Sequence, residues 1–170
     1  MLFSIFLFVF LFLAATAVYA GWRAAPWAPT FKDDKERFLR LACIKPGQKV
    51  YDLGCGDGRL VAAAGKAGAI AVGFEISLVP YFFAKWRIAN SPAGKNCRIK
   101  FKDFWKADLS DADVVYFFLM PKIFAKMKAK MEKELKPGAK VIIYTWPMDG
   151  WEPLAEDCPK GKTPIYVYRR

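Results

Sequence analysis

Histidine is absent from the 170 residues of this chain. Its absence excludes the side chain that most often serves as a general base near neutral pH and as a metal ligand. The four cysteines contain no C-x-x-C pair, which excludes the usual zinc and redox spacings. The sequence therefore predicts reduced thiols and no metal site, and any catalysis must proceed without histidine.

Acidic residues are few compared with basic ones, 16 against 27, and the formal net charge is +11. Such a balance favours anionic partners, which include phospholipid head groups, nucleic acid and acidic protein surfaces. In the predicted helix from Lys122 to Lys136 the lysines form one stripe, which could rest on anionic lipid or remain solvated. Because no RNA-binding module is visible, nucleic acid is the least favoured partner.

Lysine and arginine are also missing before the apolar run from Leu2 to Ala20. About 20 apolar residues suffice to cross the hydrocarbon core of a bilayer. A secretory signal peptide would carry a basic flank before this run, although Val18-Tyr19-Ala20 leaves a cleaved signal as the alternative. We predict a single-pass membrane anchor over residues 1–21, with the domain on the cytoplasmic side because basic residues follow the run.

Alternating glycines follow a short apolar strand at residues 49–53. Glycines at positions 54, 56 and 58 permit positive φ and let a ligand approach the backbone closely. The amides that begin the following helix face whatever occupies this turn. The spacing is G-x-G-x-G, with Arg59 where a dinucleotide fingerprint has its third glycine, so a pyrophosphate site is disfavoured.

The stretch from Asp52 to Gly58, followed by a second apolar strand that ends in Glu75, resembles the first two motifs of the seven-β-strand S-adenosylmethionine-dependent methyltransferases. The resemblance implies S-adenosyl-L-methionine as cofactor, with Glu75 accepting hydrogen bonds from both ribose hydroxyls. It also implies that Asp103 meets the adenine amino group. The cofactor-binding residues implied in this way are Thr30, Asp52, Gly54, Cys55, Gly56, Gly58, Glu75, Asp103 and Phe104.

Four further features narrow the resemblance: residues 26–30, residues 103–106, a fourth predicted strand that ends in apolar residues and Pro121, and Trp146-Pro147. Together they are similar to the small membrane-anchored protein-lysine methyltransferases, including those that modify the adenine nucleotide translocase and the c-subunit of ATP synthase. Trp27 departs from the tyrosine expected there. The resemblance implies methyl transfer to a lysine of a membrane protein, a proline-rich linker over residues 22–30 that folds over the cofactor, and a methyltransferase domain over residues 31–170.

No residue can be assigned as the catalytic base. A lysine acceptor must lose a proton from a pKa near 10.4, and burial among aromatic rings lowers that pKa. We therefore predict an acceptor pocket formed by Trp105, Phe118, Trp146 and Trp151. An Asn/Asp-Pro-Pro-Tyr stretch is missing after the fourth predicted strand, which disfavours adenine and glutamine as acceptors.

Strands alternate with helices along the chain, which predicts an α/β fold: a Rossmann-like, mostly parallel, doubly wound sheet with an antiparallel C-terminal strand or hairpin, preceded by one transmembrane helix. The fourth and fifth strands are predicted at 114–119 and 140–146, and the last at 165–168 with a short partner around 151–154. In the helix from Leu78 to Asn90, we expect Tyr81, Phe82 and Trp86 to pack in the core.

Two alternatives to a lysine acceptor remain open from the residues themselves. An anchored enzyme with an apolar cleft could methylate a lipid-borne small molecule such as a quinone precursor. A domain with these motifs could also bind S-adenosylmethionine without turnover, as a sensor or assembly factor. We expect a monomer.

Overall fold

The computed structural model describes residues 2–23 and 32–170 of the chain. The helices are α1 (Leu2–Arg23), α2 (Lys32–Ala42), α3 (Arg59–Lys66), α4 (Leu78–Ala89) and α5 (Phe124–Glu134). The strands are β1 (Lys49–Leu53), β2 (Ile70–Glu75), β3 (Cys97–Phe101), β4 (Val114–Phe117), β5 (Lys140–Tyr144), β6 (Ala155–Asp157) and β7 (Ile165–Arg169). Most of the linker, including Thr30, lies outside the described residues, so the expected role of Thr30 stays a prediction.

The seven strands form one sheet in the order β3-β2-β1-β4-β5-β7-β6. Strands β1 to β5 run parallel, whereas β7 pairs antiparallel with both β5 and β6. This arrangement confirms the predicted fold class. Because β1 pairs with both β2 and β4, the strand order reverses beside it, and ligands of such sheets bind at the carboxyl ends of the strands there.

Apolar layers cover both faces of the sheet. On one face Phe38 of α2 and Ile88 of α4 share a core cluster with Tyr116 of β4. On the other face Met127 of α5 shares a cluster with Phe117 of β4. Neighbouring residues of β4 thus enter different cores, which explains why this strand is apolar throughout.

The ends of the central strands differ from the prediction. Strand β4 ends at Phe117, two residues early, and β5 ends at Tyr144 because Thr145 has a φ of 86°, which an extended strand does not allow. The short partner expected for the last strand is present, but β6 occupies Ala155–Asp157, directly after the predicted residues 151–154. Its residues show no alternation of apolar side chains, so only the pairing with β7 identifies them as a strand.

The expected core packing of the α4 aromatic residues was wrong for two of the three. Phe82 is 62% exposed and Trp86 is 66% exposed, while Tyr81 is half-buried. The helix faces the sheet with Ala84 and Ile88 instead, which are buried. The apolar positions of α4 therefore extend beyond the side that the sheet can cover.

Helix α1 is long and apolar enough to cross a membrane over Leu2–Trp22, with a mean hydropathy of 2.5 and no burial of its apolar window. Its second half contacts the rest of the chain. The Thr16 hydroxyl accepts a hydrogen bond from the Leu78 amide at 3.5 Å, and the Lys122 ammonium donates to the Trp22 carbonyl at 3.1 Å. These contacts place Thr16 beside the start of α4 and the carboxyl end of α1 beside Lys122, just before α5.

Candidate active site

The glycine turn after β1 has the backbone geometry that its sequence predicts. Gly54, Gly56 and Gly58 have φ values of 86°, 54° and 72°, which favour glycine because a Cβ would be strained there. The Gly54 amide donates to the Phe74 carbonyl at 3.0 Å, so the turn is tied to the end of β2. We call the space between the ends of β1 and β4 the cradle; a Cβ on Gly54 would make an ordinary contact there with Leu119, at 3.5 Å.

Glu75 is held rigidly at the end of β2. One carboxylate oxygen accepts a hydrogen bond from the Gly56 amide at 2.9 Å, and the other accepts from the amides of Ile76 and Ser77 at 2.8 Å. The residue is 7% exposed, and burial raises its pKa although these hydrogen bonds oppose the shift. A fixed carboxylate next to a glycine turn is suited to accept hydrogen bonds from a diol.

Two more buried carboxylates flank Glu75, and their environments differ. Asp57 forms salt bridges with Arg59 at 2.7 Å and with Arg87 at 2.8 Å. Burial alone would raise its pKa, but the hydrogen bonds and charge of Arg59, with the charge of Arg87, lower it below the ordinary value. The negative charge of Asp57 is therefore balanced by the two arginines within the protein.

Asp52 has no such neutralising partner among the described residues. It is 5% exposed, and burial, followed by the charges of Glu75 and Asp57, raises its pKa well above the ordinary value. A cationic ligand in the turn would relieve this unfavourable charge distribution. The site therefore favours a ligand that carries positive charge.

Cys55 lies inside the turn, and its side chain packs against Gly73 of β2. Its sulfur would meet a Cβ on Gly73 at 2.6 Å, so glycine at that position of β2 makes room for it. Burial, and then the charges of Asp52 and Glu75, raise the pKa of the Cys55 thiol well above its ordinary value. A neutral buried thiol is a poor nucleophile, which gives Cys55 a structural role.

Asp103 and Phe104 begin the short 3-10 turn after β3, at the same edge of the sheet as Glu75. One Asp103 oxygen accepts a hydrogen bond from the Trp105 amide at 3.0 Å, which fixes the carboxylate at the start of the turn. Phe104 is 4% exposed and packs in the core that contains α5. The turn therefore holds Asp103 at the cofactor edge, whereas Phe104 offers little surface to a ligand.

The structure brings two of the four predicted pocket residues together. The rings of Phe118 and Trp146 stack with centroids 6.0 Å apart, just beyond the ends of β4 and β5. Tyr144 packs edge-on against Phe118 at 4.8 Å. This aromatic pair, half-buried at the carboxyl edge, is the part of the predicted pocket that lies beside the cradle.

The other two tryptophans lie apart from this pair. Trp105 packs against Phe104, and the Lys126 ammonium lies 4.3 Å from its ring centroid. Trp151 packs against Tyr168 and donates to Glu132 at 3.0 Å. Tyr168 pairs with Val141 in the first half of β5, so Trp151 lies toward the amino ends of the parallel strands, away from the aromatic pair.

Two features near the aromatic pair were missed from the sequence. Thr145, between Tyr144 and Trp146, has the positive φ that turns the chain out of β5, and its amide donates to the Pro164 carbonyl at 2.9 Å. The Tyr144 hydroxyl donates to the buried Asp34 of α2. A threonine in an apolar run predicts a strand, and two residues 110 positions apart carry no shared local signal.

The described residues fit S-adenosyl-L-methionine. Asp52 lies where positive charge is favoured, Glu75 can accept from two hydroxyls, and the positive φ of Gly54 favours glycine in the turn. Within residues 2–23 and 32–170 no group of three side chains that could hold a metal ion comes together. These carboxylates suit an organic cation that carries hydroxyl groups, as S-adenosyl-L-methionine does.

Comparisons with known proteins agree with this geometry. The family model of the ANTKMT methyltransferase domain matches residues 52–155. A protein-lysine N-methyltransferase of Saccharolobus islandicus is 36% identical over 149 residues, which cover 84% of this chain and 92% of that protein. The adenine nucleotide translocase lysine N-methyltransferase of Mus musculus is 36% identical over 71% of this chain, which spans about half, 52%, of that protein.

A solved structure extends the similarity to three dimensions. The crystal structure of an RNA methyltransferase from Salinibacter ruber, in complex with S-adenosyl-L-homocysteine, superposes with a TM-score of 0.79 at 31% identity. The superposition covers 84% of this chain and 93% of that one. The fold is therefore shared over most of the described domain.

Proposed function

Because this chain belongs to the ANTKMT methyltransferase domain family, we propose that it methylates a lysine side chain of a membrane protein while α1 holds it at the membrane. Membership makes the chain an S-adenosylmethionine-dependent methyltransferase of the protein-lysine class. The membrane acceptor, the anchor, the cytoplasmic location of the domain and its monomeric state are parts of the proposal.

The observation that carries the lysine acceptor is the 36% identity to a protein-lysine N-methyltransferase across 92% of that protein. The aromatic pair of Phe118 and Trp146 supports it chemically. These rings exclude water from an amine that enters between the strand ends, which disfavours its protonated form and lowers its pKa. The chain contains no histidine that could take up the proton instead.

S-adenosylmethionine supplies, when bound, a methyl group that its positively charged sulfur activates. The residues of the chain contribute orientation: Glu75 and Asp52 hold the donor, and the aromatic pair holds the acceptor amine. Aligning two reactants in this way removes an entropic barrier of about 7–11 kcal/mol in favourable cases. Aromatic faces also attract a methylated ammonium group, which suits the product.

The membrane acceptor is supported by α1, which is apolar over Leu2–Trp22, and by the name of the mouse relative, which gives the adenine nucleotide translocase as its acceptor. Basic residues follow α1, including Arg37 and Arg40 in α2, which favours a cytoplasmic location of the domain. An anchored enzyme meets membrane proteins at high effective concentration.

The test uses the full chain in detergent, radiolabelled S-adenosylmethionine and membranes from its own host, followed by separation of protein from lipid. We expect label in a protein band and, by mass spectrometry, on a lysine. Glu75→Ala removes the ribose acceptor and should abolish labelling, whereas Glu156→Ala, an exposed carboxylate on β6, should leave it unchanged. Label in the lipid fraction alone would indicate a lipid-borne acceptor, and cofactor binding without label would indicate a non-catalytic domain.

One observation favours RNA as a second candidate acceptor, namely the name of the Salinibacter structure. The lysine stripe of α5, however, is largely engaged within the protein. Lys130 is 8% exposed and donates to Glu134 and to the Ala107 carbonyl, and Lys126 lies over Trp105. Adding host RNA to the same assay decides between the two, because labelling of RNA in place of protein would support the second candidate.

A further inference from the structure

Helix α4 presents an apolar surface that the described residues leave uncovered. We call it the α4 patch, and its members are between 40% and 66% exposed: Val79, Phe82, Phe83, Trp86 and, from the neighbouring strand β3, Phe101. Large exposed apolar patches mark interaction sites, since they are costly to leave in water. The α4 patch therefore indicates a surface that binds another molecule.

The members of the patch form one continuous surface. Positions 79, 82, 83 and 86 follow the i, i+3, i+4, i+7 spacing, which places their side chains along one side of α4. Tyr81 links this side to β3, because its ring lies 5.4 Å from that of Phe82 and 5.2 Å from that of Phe101. The surface thus extends from α4 to the edge of the sheet.

A basic groove runs beside the α4 patch. It has a volume of about 680 Å³ and lies between α4 and β3, and its charged lining residues are Lys85, Lys95 and Arg98. No acidic side chain lines this groove, and none of its three cations forms a salt bridge with a described residue. An apolar surface flanked by such cations fits the boundary between acyl chains and anionic head groups.

The length of helix α1 indicates that lipid covers the α4 patch. Thr16 of α1 contacts Leu78 at the start of α4, and the helix from Leu2 to Thr16 is about 21 Å long at 1.5 Å per residue. The hydrocarbon core of a bilayer is about 30 Å thick. If α1 crosses the bilayer, the contact between Thr16 and Leu78 must therefore lie close to the lipid, and so must Val79 and Phe82, which follow directly.

We propose that the α4 patch and the basic groove form a membrane-docking surface, which seats the domain on an anionic bilayer with α4 parallel to the membrane plane. The inference rests on the membrane anchor of the proposed function. The α4 patch begins at Val79, four residues after Glu75, so docking also holds the carboxyl end of β2 near the lipid. A domain so seated approaches lysines close to the membrane surface.

The test measures lipid contact at position 83 in the full chain. Cys43→Ser and Cys158→Ser remove the two exposed thiols, and Phe83→Cys or Lys160→Cys introduces one site for a bimane label. The labelled chain is reconstituted into phosphatidylcholine vesicles with phosphatidylglycerol. Lys160→Cys is the matched control, since position 160 is exposed in the loop between β6 and β7, away from α4.

We expect lipids with a nitroxide on the acyl chain to quench the label at position 83 at least twofold and to leave position 160 unchanged. Iodide in the aqueous phase should show the reverse pattern. Phe82→Glu together with Trp86→Glu should abolish the lipid quenching, because charged side chains are not tolerated at the acyl-chain boundary. Omitting phosphatidylglycerol should weaken the quenching, because the cations of the basic groove then have no anionic head groups to bind.

Three outcomes would overturn the docking surface. Iodide quenching at position 83 would place it in water, and protection from both quenchers would indicate a protein partner or a second copy. Failure of the chain to float with the vesicles would remove the anchor as well. Because these readouts do not involve methylation, a chain that floats and docks but labels no protein would contradict the proposed acceptor alone.

Discussion

Gly58 is the residue at which the glycine turn meets α4. It has a φ of 72°, and a Cβ there would lie 3.0 Å from the Ala84 Cβ and 3.2 Å from the Ala84 Cα. Backbone atoms cannot move aside as a flexible side chain can. The requirement for glycine at this position is therefore both conformational and steric.

Gly58→Ala should destabilise the domain by about 2–4 kcal/mol, from the left-handed backbone and from overpacking against α4. Gly161→Ala is the matched control, with a φ of 75° and nothing within 4 Å of its Cβ, and should lose only the backbone term of about 1–2 kcal/mol. Urea unfolding of the two variants in detergent measures the difference. Equal losses would show that α4 adapts to the added methyl group.

Tyr144 makes stability sensitive to alkaline pH. Burial, and then its hydrogen bond to Asp34, raise the Tyr144 pKa to about 12. The unfolded chain, with a tyrosine pKa near 10, releases this proton first, so the contribution is complete below pH 10 and is lost as the pH rises toward 12. Unfolding free energies measured from pH 8 to 12 should fall less steeply for Tyr144→Phe than for the natural chain. Parallel curves would contradict this assignment.

At the scale of elements, helix α2 is fastened to the C-terminal hairpin by one buried arginine. Arg37 donates to Asp34 at 2.7 Å, to the Asp157 carboxylate at 3.0 Å and to the Thr163 carbonyl at 2.8 Å. Its side chain is 7% exposed. The network joins the helix that leads into the domain to the strands that end it, on the side of the sheet where Tyr144 lies.

Arg37→Ala should reduce stability by about 3–5 kcal/mol, because it leaves the buried Asp34 carboxylate without a cation and removes the hydrogen bonds to Asp157 and Thr163. Arg40→Ala is the control: Arg40 also pairs with Asp157, at 3.1 Å, but is 65% exposed, and its loss should stay below about 1 kcal/mol. Thermal unfolding in detergent compares the two. Similar losses would mean that solvent screens the Arg37 network.

For the whole molecule, the proposed function makes α1 the anchor that brings the enzyme to its substrate, and this can be tested directly. The rings of Phe8 and Phe12 stack on one side of α1. Phe8→Lys together with Phe12→Lys places two charges near the middle of the apolar run. Each charge raises the free energy of membrane insertion by about 2.5–3.5 kcal/mol. We expect the natural chain to remain in membranes after alkaline carbonate extraction and the double variant to be released.

Phe8→Leu together with Phe12→Leu is the matched control and should remain in the membrane, since leucine is equally apolar. Mass spectrometry of the natural chain completes the experiment. An intact amino terminus supports the anchor, whereas a mature protein that begins at Gly21 would identify α1 as a cleaved signal.

Local patterns in the sequence determined the fold class and pointed to the cofactor. The positions of the glycines, the acidic residue at the end of the second strand and the alternation of apolar strands with helices depend on neighbours in the chain, and the structure confirms the fold that they predict. The cofactor could be inferred for the same reason, because the glycine turn and Glu75 lie within one βαβ unit.

The tertiary structure alone decided which distant residues meet. Phe118 and Trp146 come together because β4 and β5 are neighbours in the sheet and end at the same level. Trp151 packs instead against Tyr168, toward the amino ends of the parallel strands. The exposure of Phe82 on α4 depends on how much of a helix the sheet can cover, which periodicity does not show. Contacts between residues far apart in the chain arise from packing of whole elements, and no local pattern encodes that packing.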